Sequence, residues 1–281
     1  FEAGACCQNR CLTGIQPQAD LTTLSSLQAR MQPIPANYAA WWMCLLPVAA
    51  MKQAGLPMPF FIKMDDVEYA LQIKEQVVMM TGVCVWHENF HLKYAPWNEY
   101  YITRNGCIPY ALHGQAKNAL AVTLELWRTV LHLLFLHRYD TAKFVLQGYR
   151  DFLRGWKWLQ KMDAITLHRQ ILQQQQAATE QFQIDCTEVP DSISQVSFFE
   201  ATRSAVQNQK SVFLFHPFTK KGFYANRKKG TAFQLLLKMG GISLRMLATY
   251  RSVVQGFQKN RTVLCEDAAW NRRNQHNSKG K

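Results

Sequence analysis

The stretch Phe60-Phe61-Ile62-Lys63-Met64-Asp65-Asp66-Val67-Glu68-Tyr69-Ala70-Leu71 sets an apolar run directly before two adjacent carboxylates and a helical pattern directly after them. Read locally, residues 60–64 form a strand, and residues 67–76 form a helix with Ala70, Leu71 and Ile73 as its apolar positions. Asp65 and Asp66 then fall where a strand gives way to a helix N-terminus, the junction at which α/β proteins carry their sites. Two adjacent acids there can be a helix cap worth about 1 kcal/mol, or they can be a general base or part of a metal site.

The neighbourhood shifts that balance. Residues 38–46, which contain Trp41-Trp42, read as a buried strand ended by Pro47, and residues 48–54 as a short helix stopped by Gly55. Pro57 and Pro59 stiffen the entry to residues 60–64. Downstream, residues 77–80 and 83–86 are β-type runs separated by Thr81-Gly82, and the second ends on Trp86-His87. If neighbouring strands present these ends at one rim, an acid pair, an imidazole and indole rings share a pocket. Carboxylate with imidazole suits a divalent cation, and indole faces suit the apolar faces of sugar rings.

Residues 1–37 are turn-rich, with residues 21–31 as the single helical candidate, and read as a connecting segment. The first five residues lack the basic and apolar regions of a signal peptide, and the start reads as a cut through a longer protein. Residues 94–104 are aromatic and polar. Beyond residue 112 the pattern changes to long amphipathic helices: Leu120, Leu124, Trp127, Leu131, Leu134 and Phe135 mark one stripe, and residues 144–162 and 165–182 continue the series. Trp127, Trp156 and Trp158 are assigned to this helical core, and His91, His113, His132 and His137 to packing, caps or surface. Residues 211–215 are a strand candidate within a mixed segment. Residues 231–257 form a last helix, or two helices broken at Gly240-Gly241.

The net charge of +13 is concentrated at one end: residues 220–281 hold fourteen Lys/Arg against Glu266 and Asp267, a net of +12. Such an end implies an anionic partner. It suits attachment to an anionic leaflet through the leucine-rich basic helix, and equally an ordinary packed helix with a solvated face and a disordered end. Glu125, Arg128 and His132 interrupt the longest apolar stretch, so no spanning helix is expected. Eight cysteines without regular spacing read as reduced thiols, and the local group Cys6, Cys7 and Cys11 lacks the second pair a zinc site needs.

The runs Trp41-Trp42-Met43-Cys44-Leu45-Leu46-Pro47, Gly55 through Tyr69, and Val85-Trp86-His87 resemble the second half of the catalytic domain in bacterial inverting family-two glycosyltransferases of GT-A fold, and among these the polymerising galactofuranosyltransferases. The opening Phe1-Glu2-Ala3-Gly4-Ala5 is similar to a stretch of that family downstream of its Asp-x-Asp metal motif. The resemblance covers about residues 1–110. Where close relatives carry Trp before the acid pair this chain has Met64, and the nucleotide-binding half with the Asp-x-Asp motif is not among these residues.

The resemblance implies an α/β fold in which residues 1–112 are the rear half of a GT-A nucleotide-diphospho-sugar transferase domain, followed by a mainly α-helical C-terminal domain over residues 113–281. It implies Asp66 as general base, Asp65 as acceptor anchor, and His87 as ligand of a divalent cation, Mn2+ or Mg2+. Trp41, Trp42, Glu68 and Trp86 would bind acceptor, although a solvated first-turn acid is an equal reading for Glu68. Arg104, in the Tyr100-Tyr101…Arg104-Asn105 segment, would meet the donor diphosphate, with a surface arginine as the alternative. The implied reaction is transfer of a hexosyl unit, galactofuranosyl from UDP-galactofuranose, with inversion, to a cell-surface glycan. The alternatives are rhamnosyl or glucosyl transfer on the same fold, or a non-catalytic module binding a membrane or polyanion. Expected partners are a nucleotide diphosphate sugar, a glycan or lipid-linked glycan acceptor, an anionic membrane surface and a second copy of the chain, but not nucleic acid. The expected location is cytoplasmic, peripheral on the inner face of the plasma membrane.

Overall fold

The computed structural model of the chain describes residues 5–8, 11–14, 23–28, 36–75, 77–78, 85, 94–113 and 118–266. They form a mixed but mainly helical structure with two small sheets. A hairpin of β1 (Ala5–Gln8) and β2 (Cys11–Gly14) is followed by α1 (Leu24–Gln28), α2 (Val48–Ala54), α3 (Asp65–Ile73) and α4 (Asn98–Leu112). Then come α5 (Ala119–Phe135), α6 (Tyr139–Phe152), α7 (Gly155–Lys161) and α8 (Ala164–Gln176). The chain continues through β3 (Ile184–Asp185), β4 (Gln195–Ser197), α9 (Arg203–Val206), β5 (Ser211–Phe215) and β6 (Lys221–Asn226), and ends in α10 (Lys229–Lys259) and α11 (Arg261–Cys265).

One apolar core joins residues from both sides of position 112: Met58, Phe60 and Ile108 pack with Leu126, Phe152, Leu159, Met246 and Leu264. Helix α10 lies within it through Leu235, Met239, Met246, Tyr250, Val254 and Phe257. It runs unbroken through Gly240-Gly241, because the buried stripe on either side outweighs the roughly 1 kcal/mol each glycine costs a helix. The expected helix over residues 144–162 is instead divided between α6 and α7, where Gly155 takes φ 77°. The hairpin β1–β2 replaces the turn-rich connection expected over residues 1–37, with Cys7 opposite Leu12 and Gln8 opposite Cys11.

Helix α4 takes in part of the stretch that reads as aromatic and polar, and burial around most of its circumference, from Tyr100 to Ala111, erases the one-sided stripe that marks a surface helix. It packs against α6 at Gly148, where an added Cβ would stand 2.8 Å from both Thr103 Cβ and the Tyr100 carbonyl oxygen.

The second sheet has the order β3-β6-β5-β4, antiparallel except for the parallel β4–β5 pair, and has its own core of Phe198, Val206, Val212, Leu214, Phe223 and Ala225. Glu180 ties this unit to the bundle. Its buried carboxylate accepts from the Asp140 and Thr141 amides at 2.6 and 3.1 Å, taking up donors that the first turn of α6 leaves open. Among the described residues no helix is long and apolar enough to cross a membrane.

Candidate functional site

The Phe60–Met64 segment is not a strand. Phe61, Lys63 and Met64 take φ of 78°, 66° and 69°, the left-handed region that costs a non-glycine residue on the order of 1 kcal/mol. A strand would hand its carbonyls to neighbouring strands, whereas three of these are taken by side chains of α4. Arg104 Nη2 donates to the Phe60 carbonyl at 2.9 Å, and Asn105 Nδ2 donates to the carbonyls of Ile62 and Lys63, each at 2.9 Å. Phe60 is fully buried in the main core, and the Phe61 ring lies 5.2 Å from the His168 ring and 6.3 Å from that of Tyr101. An irregular backbone is thus anchored at both apolar and polar points.

Helix α3 begins at Asp65, two residues earlier than its apolar pattern suggests, with Met64 as N-cap and no side-chain cap. The capping role considered for the acids is therefore not the one they play. Both stand inside the first turn, where unpaired amides favour negative charge by about 0.3–1 kcal/mol. Asp66 Oδ2 accepts from the Tyr38 hydroxyl at 2.6 Å and Oδ1 from the Val67 amide at 2.8 Å. Burial, with the Asp66 charge adding to it, pushes the Asp65 carboxyl above the ordinary carboxylate range. The two acids are therefore unequal: one is oriented by a tyrosine, the other is held closer to its neutral form.

Residues 38–46 are not a buried strand either. Tyr38 makes an isolated bridge to Ala5, residues 41–43 turn, and Trp41, Trp42, Met43 and Leu45 are exposed. The turn still brings an indole to the acid-bearing helix, since Trp41 meets Tyr69 edge to face at 5.5 Å. Tyr69 lies one turn beyond Asp65 and Gln72 follows on the same face. Tyr69 and Gln72, but neither acid, line a cleft of about 1080 Å³ whose wall also includes Trp41, Lys52 and Arg261.

Two of the expected site residues take other places. Glu68 is neither solvated nor presented to a ligand: it is fully buried, and its Oε1 lies 3.0 Å from Nε2 of His113 at the end of α4. Arg104 is neither a surface arginine nor open to a phosphate. Its side chain has no exposed surface, and besides Phe60 it bonds Asn105 Oδ1 at 2.7 Å, the Tyr100 hydroxyl at 3.3 Å and Met162 Sδ at 3.4 Å. The rings of Tyr100 and Tyr101 sit 5.2 and 5.1 Å from its guanidinium carbon. A buried guanidinium loses its hydration, and donors engaged this fully offset that loss.

Trp86 and His87 lie outside the described residues. Among the described residues no group of three His, Cys, Asp or Glu side chains is placed to hold a metal ion, so a cation site is not assembled from them. Tyr38 joins the site by structure alone: it reads as the first residue of a strand, and only its partner 28 positions away gives it a role. Asn105 is expected near the site as part of the Tyr100-Tyr101…Arg104-Asn105 segment, but its bonds to carbonyls more than 40 positions away are visible only in the structure.

No family model matches the chain. It is 32% identical over 127 residues to the galactofuranosyltransferase GlfT2 of Mycolicibacterium smegmatis, and 32% identical over 130 residues to that of Mycobacterium tuberculosis. Each match takes in 43% of this chain and 20% of the relative, so the similarity spans about a fifth of the length of either protein. The comparisons thus place this chain in a sequence relationship with galactofuranosyltransferases over part of its length.

Proposed function

We propose that the chain supplies the acceptor side of an inverting, GT-A glycosyltransferase that moves a hexosyl unit, galactofuranosyl from UDP-galactofuranose, onto a glycan or lipid-linked glycan. The observation that carries this reading is the unequal acid pair in the first turn of α3, with Asp66 held by Tyr38 and an indole one turn away. The similarity to galactofuranosyltransferases supports the sugar class. In the transfer the acceptor hydroxyl attacks the anomeric carbon and the bond from that carbon to the diphosphate oxygen breaks. The hydroxyl proton passes to the Asp66 carboxylate, and the diphosphate leaves from the opposite face with the bonding pair. A sugar hydroxyl is a weak nucleophile, and a positioned base contributes about 10²–10⁴-fold to such a step. Asp65 accepts a second acceptor hydroxyl, and Trp41, Trp42 and Trp86 offer apolar faces to the sugar rings. A divalent cation, Mn2+ or Mg2+, with His87 among its ligands belongs to the same proposal and would offset charge on the leaving diphosphate. No step above rests on it. Rhamnosyl and glucosyl donors are the nearest alternatives.

The test is Asp66→Asn in the full-length protein, assayed with UDP-galactofuranose, UDP-glucose and dTDP-rhamnose and a glycan acceptor. The expected result is at least a hundredfold loss of turnover with donor affinity unchanged, on the first donor only. Retained turnover removes the base assignment.

A second element of the proposal is contact with an anionic membrane. One stripe of α10 is buried in the core. Supporting the contact is the other face, where Phe233, Leu237, Leu244 and Leu247 are exposed together with Lys229 and Arg251; α5, which packs against α10 with Trp127 bonded to Ser243, exposes Leu120, Leu124 and Trp127. Each nearby Lys/Arg adds about 1 kcal/mol at an anionic leaflet. Leu237→Glu with Leu244→Glu should abolish pelleting with anionic liposomes; equal pelleting of the parent with neutral liposomes counts against the contact.

A further inference from the structure

We propose that Arg104 and Asn105 form a positioning clamp that sets the acid pair for the transfer step, an inference that rests on Asp66 being the base. In the backbone leading into Asp65, Phe61, Lys63 and Met64 are left-handed, and among the described residues no strand pairs with this run. Neighbouring residues of one helix supply the missing donors. Asn105 Nδ2 is shared between the Ile62 and Lys63 carbonyls, and Arg104 Nη2 fixes the Phe60 carbonyl, so three of the five carbonyls of the Phe60–Met64 run are held from α4.

The clamp is itself rigid. Arg104 Nε donates to Asn105 Oδ1 at 2.7 Å, which orients the amide so that its NH2 faces the loop. Tyr100 contacts the same guanidinium and donates to Asp151 Oδ2 of α6 at 3.1 Å, and the close α4–α6 approach at Gly148 lies at the level of Arg104. A rigid helix therefore sets the height and direction of Met64, and with it the first turn of α3, since the Glu68 amide bonds the Met64 carbonyl at 3.0 Å. Catalytic groups misplaced by about 1 Å lose on the order of 10²-fold in rate. Neither Arg104 nor Asn105 needs to touch sugar or diphosphate to control that step. In this arrangement they are positioning residues.

The discriminating variant is Asn105→Asp in the full-length protein. It keeps the side-chain shape and the Oδ1 acceptor for Arg104 but turns the shared donor into an acceptor facing two carbonyls. The expected result is at least a tenfold fall in kcat for transfer from UDP-galactofuranose with donor KM within twofold of the parent. Hydrogen exchange at the Val67 and Glu68 amides should quicken while the amides of α5 and α10 keep their protection. Asn105→Ser, which lacks the reach but adds no charge, should move both readouts in the same direction by less, and serves if the aspartate variant does not fold. Parent-like kcat in either folded variant overturns the proposal. So does a loss of kcat matched by an equal loss of donor affinity and protection throughout the fold, which is what a merely structural role gives. Asp66→Asn run alongside separates the two ideas: if it is inactive while Asn105→Asp is fully active, the clamp fails alone, and if it is active the base assignment fails and the clamp's catalytic role with it.

Discussion

Adding one methyl group to Gly148 should destabilise the protein, although the same change at Gly241 of α10 should stabilise it. In a helix interior Gly→Ala ordinarily gains about 0.5–1 kcal/mol, because the unfolded chain loses freedom it no longer has to give up. At Gly148 the new Cβ would lie 2.8 Å from Thr103 Cβ, 2.8 Å from the Tyr100 carbonyl oxygen and 3.1 Å from the Arg104 nitrogen. Carbon contacts are optimal near 3.5–4.0 Å, so α4 and α6 would have to separate by about 0.7–1 Å, or bend. Two of the three atoms belong to backbone and cannot rotate away. Overpacking of this kind costs about 1–3 kcal/mol, which leaves a net loss of up to about 2.5 kcal/mol after the helix gain. At about 2–4 °C per kcal/mol for a protein of this size, the melting temperature of Gly148→Ala should fall by up to about 10 °C. Gly241→Ala in α10, where nothing lies within 4 Å of the added atom, should rise by about 1–4 °C. Thermal and urea unfolding followed by far-ultraviolet circular dichroism measure both. A rise for Gly148→Ala equal to that for Gly241→Ala would refute the close α4–α6 approach, and with it the rigidity attributed to α4.

Three further outcomes follow from the site. Tyr38→Phe removes the donor that orients Asp66; hydrogen bonds to charged groups are worth about 1.5–3 kcal/mol of stability, so the melting temperature should fall by about 3–12 °C, and turnover should drop about tenfold or more because the carboxylate is no longer oriented; an unaltered rate would show that Asp66 is held without it. Because burial raises the Asp65 carboxyl, its proton-bound state stabilises the fold fully below the ordinary value near 3.9, and that contribution is lost as pH rises through the raised value. Asp65→Asn should therefore raise the melting temperature at pH 7 and leave it unchanged near pH 3.5, and an equal gain at both would contradict the cause. His113→Ala strands the buried Glu68 carboxylate, which should cost about 3–5 kcal/mol by urea unfolding; a second change, Glu68→Gln, should recover a large part, and a full loss in the double variant would place the damage elsewhere.

The local punctuation of the chain was readable. Pro47 and Gly55 bound α2 where expected, with Gly55 at φ 80°, and residues 211–215 are β5. The long helices were legible by their stripes, and α8 stops at Gln176 because the next residues carry Glu180 back to α6. The acid pair was legible as standing at a helix start, with tryptophans less than thirty residues before it, because these are features of order along the chain. Arg104 and Glu68 were misplaced for one reason: charged residues are expected at the surface, and what permits their burial is a partner more than 40 positions away.

The sequence by itself determined that two carboxylates stand at the start of α3, that an indole pair precedes them, and that the positive charge gathers at the far end. Those are properties of order along the chain, set by which residues are neighbours. Only the tertiary structure decided that the Phe60–Met64 run is a clamped loop rather than a strand. The same apolar residues can be buried either way, and the choice turns on who satisfies the backbone carbonyls. Here Arg104 and Asn105, brought in on α4 by its close packing against α6, take the place that a neighbouring strand would have had.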